Sequence, residues 1–344
     1  MFPDIRRVQR LSLAGALLLL AALWLGGCTS MTSFRGLTGT EPDCPDDRRY
    51  DVLEPCRGPT TEVKPDRAGA PGYTLHFAEF DDQGWQFMPP DSPDTTPIAP
   101  SNAMGRPDLQ IDAILKQLKS ALPVDGKQRV RLFVYVHGWR HSARWDDKDV
   151  EHFHKFLARQ AQLAHERGAA SDRVVGIYVG WRGTSVDDLT PAVPLSLASF
   201  WDRKRAAERV AQGSIRELFA RLFALKREVD RDRDMQLRSK TAVDVPESRL
   251  RATVIGHSFG ASIVFRSVAQ ALIASFADDL DDGVERVADY LDSVVLINPA
   301  IEAARFEPLL RVARSRARRC EEKGVDPALC RRPVYSRPLL AIYT

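Results

Sequence analysis

Apolar positions along the chain switch between two periods. Residues 73–80 alternate apolar and polar, and Asp81-Asp82-Gln83-Gly84 turns them into Trp85-Gln86-Phe87, which predicts an N-terminal hairpin. Ile111, Ile114, Leu115, Leu118 and Leu122 then recur at helical spacing, and residues 131–136 form a continuous apolar strand. Asp146 and Asp147 open a helix with Val150, Phe153, Leu157, Ala161 and Ala164 on its core face, and Gly168 stops it. Residues 173–179, the apolar run into Gly256, residues 293–297 and residues 337–343 are further buried strands. Strands alternating with helices predict an α/β protein: a mainly parallel, doubly wound sheet with helices on both faces.

Residues 183–250 separate two of these strands by far more chain than one crossover needs. Residues 190–201 are apolar and proline-broken, and a long amphipathic helix follows with Ile215, Leu218, Leu222 and Leu225 on one face. Two readings of this helical insertion stand side by side, a lid over a site and an addition that packs on the fold. Residues 29–72, rich in Pro, Gly, Thr and Asp, read as a flexible tether to a domain spanning 73–344.

Candidate chemistry concentrates at Gly256-His257-Ser258-Phe259-Gly260. An apolar run enters it, and Ala261, Val264, Val268, Ala271 and Leu272 leave it at helical spacing, so Ser258 sits on a strand-to-helix turn. Gly256 and Gly260 let strand and helix approach closely, and the helix dipole behind Ser258 favours an oxyanion there. This stretch resembles the nucleophile elbow of the α/β-hydrolase superfamily. Residues 131–136 run into His137-Gly138-Trp139, which resembles that family's oxyanion loop. The resemblance implies an α/β-hydrolase fold, Ser258 as nucleophile, and the Trp139 and Phe259 N–H groups as the oxyanion hole of a serine esterase or lipase. No cofactor and no metal are implied.

The family order is Ser, then Asp or Glu, then His. All seven histidines, at 76, 137, 141, 152, 154, 165 and 257, precede Ser258. Glu302 is the candidate acid at an alternative family position, and His141 is the first histidine to test as a base. The chain ends at Thr344 directly after a predicted strand, where the family's acid and histidine loops would come next. The expectation is a chain lacking that C-terminal segment, inactive or feebly active; the alternative is a non-catalytic envelope lipoprotein that uses the same fold for binding.

The N-terminus changes the setting. Arg6, Arg7 and Arg10 precede an apolar run, 11–25, that reads as a secretory signal. Leu25-Gly26-Gly27-Cys28 resembles the bacterial lipobox, which implies that residues 1–28 comprise a signal peptide and a lipid attachment at Cys28. Thr29 rather than Asp follows, so the resemblance points to the outer membrane. The remaining Cys44, Cys56, Cys320 and Cys330 are even in number in an exported chain, and pairing Cys44 with Cys56 and Cys320 with Cys330 closes the shortest loops. Metal binding is the rival, but no histidine lies beside either pair at ligand spacing. A formal charge of +3 over 344 residues is too small to imply nucleic acid. A small-molecule or lipid ester substrate and a membrane contact through the N-terminal lipid are the expected partners.

Overall fold

The computed structural model describes residues 33–37, 58–66, 71–87, 110–122, 128–168, 172–183, 193–231, 248–278, 291–322 and 340–344. Its strands are β1 (Arg35–Leu37), β2 (Gly58–Pro59), β3 (Thr61–Lys64), β4 (Tyr73–Glu79), β5 (Arg129–Val136), β6 (Asp172–Gly180), β7 (Leu250–His257), β8 (Ser293–Ile297) and β9 (Leu340–Tyr343). The helices are α1 (Gln110–Ser120), α2 (Lys148–Glu166), α3 (Val193–Val210), α4 (Ile215–Val229), α5 (Phe259–Asp278) and α6 (Glu307–Glu322). Seven strands form one sheet in the order β3-β4-β6-β5-β7-β8-β9. Every pairing in it is parallel except β3 with β4. The mainly parallel α/β architecture expected from the periodicities is therefore present.

Both faces of the sheet are covered, and the strand residues divide between them at period two. Val130, Leu132, Val134 and Val136 of β5 join the cluster formed with α1, α4 and α5, while Phe133 and Tyr135 turn to the face covered by α2. Helix α2 begins where expected because the Asp147 carboxylate accepts from the Asp149 N–H, and Gly168 follows its end at φ 72°. Its buried face is Val150, Phe153, Leu157, Ala161 and Ala164. Gly176 of β6 lets α2 come this close, since a Cβ there would lie 2.5 Å from Leu157 Cδ1.

The structure corrects the tether. Residues 33–37 and 58–66, inside the stretch 29–72, pack on the domain, and β3 is the antiparallel partner of β4. Arg35 is fully buried: Nε donates to the Ala143 carbonyl at 2.6 Å, one terminal nitrogen meets Glu62 at 2.7 Å, and the guanidinium lies 3.6 Å from the Phe77 ring centre. The fully buried Glu79 carboxylate accepts from the backbone N–H groups of Phe34 and Arg35 at 3.1 and 2.7 Å. A segment clipped down by paired charges carries no apolar period, so hydropathy hides it.

The N-terminal hairpin is likewise shorter than expected. The turn at 81–84 forms, with Asp81 accepting from the N–H groups of Gln83 and Trp85 and Gly84 at φ 87°, but it carries a single antiparallel bridge, Phe80 with Gln86. Strand β4 instead runs inside the sheet beside β6.

In the insertion, the one long helix is two, broken near Gly213, where a Cβ would fall 2.2 Å from the Gly84 carbonyl oxygen. Helix α4 buries Ile215, Leu218, Phe219, Leu222, Phe223 and Leu225 and so belongs to the cover of the sheet. Each such side chain contributes roughly 1.5–3 kcal/mol by leaving water. The Lys226 ammonium is buried at its end, bonded to Asp230, Ser248 and the Leu250 carbonyl.

Candidate active site

Ser258 lies between β7 and α5 with φ 53°, in the left-handed region that a residue with a Cβ enters at a cost of about 1–2 kcal/mol. Three backbone bonds hold it there: its N–H donates to the Ile297 carbonyl at 2.9 Å, and its carbonyl accepts from the Ala300 N–H at 3.1 Å and the Ser262 N–H at 3.3 Å. The flanking glycines are required by space. A Cβ at Gly256 would lie 2.5 Å from Ala261 Cα, and one at Gly260 would lie 2.1 Å from the Val136 carbonyl oxygen. The Ser258 side chain is thus carried, partly exposed, at the positive end of the 20-residue helix α5.

The loop after β5 is brought against this turn. A Cβ on Gly138 would sit 3.1 Å from Ser258 Cβ and 3.0 Å from His257 Nδ1, so the loop is packed closely against the serine turn. His137 fixes the loop from behind. It is fully buried, with Nδ1 2.9 Å from the Gly138 carbonyl and Nε2 accepting from the Trp181 N–H, while the Trp181 indole N–H donates back to the His137 carbonyl. Its ring stacks on Trp181 with an interplanar angle of 9°. Burial pulls its pKa down to about 4, so it is a neutral structural histidine. Among the described residues, the N–H groups of Trp139 and Phe259 have no hydrogen-bond partner, and neither does the buried indole Nε1 of Trp139.

His141, the first histidine to test as a base, is held between carboxylates. Its Nδ1 lies 2.9 Å from Asp147 and its Nε2 3.5 Å from Asp149. Asp147 also accepts from the backbone N–H groups of Ser142 and Asp149, which makes it the knot of this loop and the cap of α2. Burial would raise its pKa, but the His141 hydrogen bond and the neighbouring donors outweigh burial and lower it. Asp147→Ala is expected to destabilise the protein by about 1–2 kcal/mol, measured as a shift in urea midpoint at unchanged m-value.

Glu302 reaches the neighbourhood, because Ala300 bonds the Ser258 carbonyl, but its carboxylate is exposed and turned to Lys204 of α3 at 2.9 Å. That hydrogen bond pulls its pKa down to about 2. It is an ion pair between the insertion and the loop after β8, and no histidine faces it among the described residues. Residue Phe200, which the sequence did not single out, touches both sides of the site: its ring centre lies 5.4 Å from that of Trp139 and 5.0 Å from that of Phe259. Phe200 of α3 thus forms an apolar wall beside the serine turn. The proline-broken apolar run ahead of Trp201 was the available signal.

A cavity of about 820 Å³ lies elsewhere, lined by Lys64, Tyr73, His76, His165 and Asp172 at the opposite ends of the strands from Ser258. Cys28, Cys44, Cys56 and Cys330 lie outside the described residues, as does the side chain of Cys320 in α6. Comparison of the chain with family models, curated proteins and solved structures gave no match.

Proposed function

We propose that this chain carries the nucleophile and oxyanion machinery of a membrane-anchored serine hydrolase of α/β-hydrolase type, acting on carboxylic esters. The observation that carries the reading is the left-handed Ser258 on a strand-to-helix turn, with the Gly138-Trp139 backbone pressed against it. Ser258 Oγ would attack the ester carbonyl, the alcohol would leave, and water would then release the acyl group from the serine. The Trp139 and Phe259 N–H groups, spare donors beside the serine, supply the oxyanion hole. Trp139 and Phe200, both only partly buried, supply apolar surface for the acyl chain, with the buried Trp181 packed behind against Phe259. The lipobox-like Leu25-Gly26-Gly27-Cys28 supports lipid anchoring in a bacterial envelope, with the outer membrane favoured by Thr29. No described helix is long and apolar enough to cross a membrane.

A second reading, a non-catalytic lipoprotein, is favoured by one observation: His137 is locked behind the loop and both ring nitrogens of His141 face carboxylates. The two readings separate on covalent labelling. An elbow with oxyanion donors but a disengaged base retains modest reactivity, so slow labelling of Ser258 by a fluorophosphonate is expected, seen as a mass adduct on its peptide. Ser258→Ala should remove the adduct entirely. No adduct on the folded protein, or an adduct that survives Ser258→Ala, overturns the hydrolase reading.

A further inference from the structure

The clip on residues 33–37 fixes where a lipid at Cys28 would hold the domain. Ser33 is buried, so only the five steps from Cys28 to Ser33 can act as a leash, and fully extended they span at most about 18 Å. The clip also chooses an end of the sheet. Glu79, which binds the Phe34 and Arg35 N–H groups, is the last residue of β4 and is level with Gly180 of β6. Across the sheet, Val179 is level with Val136, and Val136 with Gly256, two residues before Ser258. The clip and the serine therefore lie at the same end of the sheet, three strand spacings or about 14 Å apart.

The surface at that end suits a lipid headgroup layer. Trp201 of α3 is 63% exposed and Trp85 of the 81–86 turn is 44% exposed, the two most exposed tryptophans of the described chain. The two segments are joined, since Arg203 binds Asp82 and the Arg182 carbonyl, and Arg209 binds the Asp82 carbonyl. Trp201 adjoins Phe200, the wall of the site. Arg205, one turn from Trp201, is exposed, and the exposed Arg140 holds its guanidinium 4.4 Å from the Trp139 ring centre. Tryptophan with arginine is the residue pairing that membrane interfaces favour.

We infer that the lipid-anchored protein holds the mouth of its Ser258 site against the bilayer, with Trp85 and Trp201 in the headgroup layer, and that its substrate is the acyl ester of a membrane lipid. This rests on the hydrolase and Cys28 readings above and names the source of the ester. A short leash attached at the site's own end of the sheet leaves the domain little freedom to turn that end to solvent.

The test uses the full lipidated chain in vesicles of mixed zwitterionic and anionic phospholipid with brominated acyl chains. Tryptophan emission should be quenched by the brominated lipid, and Trp85→Phe/Trp201→Phe, checked for folding by circular dichroism, should lose most of that quenching. Inserting a Gly/Ser linker of about 20 residues between Thr32 and Ser33 should reduce it as well. Quenching that is absent, or that is unchanged in both variants, overturns the orientation. For the substrate, a fluorophosphonate on a long-chain lipid in the same vesicles should label Ser258 faster in the native chain than in the long-leash chain, while a soluble probe labels both alike. Equal labelling by the membrane-borne probe overturns lipid presentation. Failure of the soluble probe on both chains overturns the serine reading on which it rests, whatever the quenching shows.

Discussion

Lys226→Ala is expected to destabilise the domain by about 3–5 kcal/mol, the range for removing one partner from a buried ion pair. The side chain is 1% exposed, and its ammonium is 3.0 Å from Asp230 Oδ2, 3.0 Å from Ser248 Oγ, 2.9 Å from the Leu250 carbonyl and 3.2 Å from Asp292. Those partners lie at the end of α4, the start of β7 and just before β8, so one cation ties the insertion to the strand that carries the elbow. Alanine would leave Asp230, 2% exposed, without its counter-charge and open a void the length of a lysine stem. Asp230 would still accept from the Arg249 N–H and from the Ser248 hydroxyl. The double variant Lys226→Ala/Asp230→Ala should therefore lose clearly less than the sum of the single losses. Urea unfolding of the four proteins closes the cycle, and additive losses would show that the pair is not coupled.

The same residue shows why the fold was only partly legible. Lys226 sits on the helical face of Leu218, Leu222 and Leu225, and a sequence reading places a lysine there in solvent. Where burial is apolar, the period is enough: β5, α2, β6 and the elbow strand lie where their apolar positions put them, and Gly168 ends α2 as expected. Where burial is ionic, the period is silent. Arg35, Glu62 and Glu79 make the N-terminal clip, and β3, with Glu62 and Lys64 at alternate positions, was absorbed into a tether. The break between α3 and α4 was missed for a different reason. It depends on Gly213 meeting Gly84 from more than 100 residues away, a close approach that a local pattern cannot encode.

For the site, the strand-to-helix turn at Ser258 was readable because a turn this tight needs small residues at fixed spacing, and the clashes a Cβ would make at Gly256 and Gly260 are the physical content of those letters. The functions of the histidines were not readable. His137 is tied down by Trp181, 44 residues on, and His141 by the two carboxylates at the start of α2. Those pairings follow from the register of β5 with β6 and from the path of the loop after β5. Glu302 follows β8 as its position in the sequence indicates, but its carboxylate is paired with Lys204, which comes from the insertion. A contact between two segments 98 residues apart is set by the packing of α3.

Acid should unfold this domain in two stages. His76 and His137 are 2% and 0% exposed, and burial pulls both pKa values from 6.5 down to about 4. Both are therefore neutral in the folded state over a range where the unfolded chain takes up protons, so stability rises with pH between those values. Their contribution is complete above pH 6.5, is lost as pH falls toward 4, and stays lost below. A difference of this size corresponds to about 3 kcal/mol for each histidine. The second stage belongs to Glu62. Burial would raise its pKa, but His154 and Arg35 outweigh burial and hold it at about 2 against an ordinary 4.5, so its contribution is present above 4.5 and is lost as pH falls to about 2. The fully buried Glu79 works in the opposite direction, because burial raises its pKa and protonation relieves a desolvated charge. Urea midpoints taken from neutral pH downward should fall steeply between pH 6.5 and 4. His76→Gln, which keeps a polar group near Thr61 Oγ1, should remove about half of that slope. A midpoint that stays flat to pH 4 would mean that these two rings are solvated in the folded state, and that His137 does not hold the Gly138-Trp139 loop against the serine.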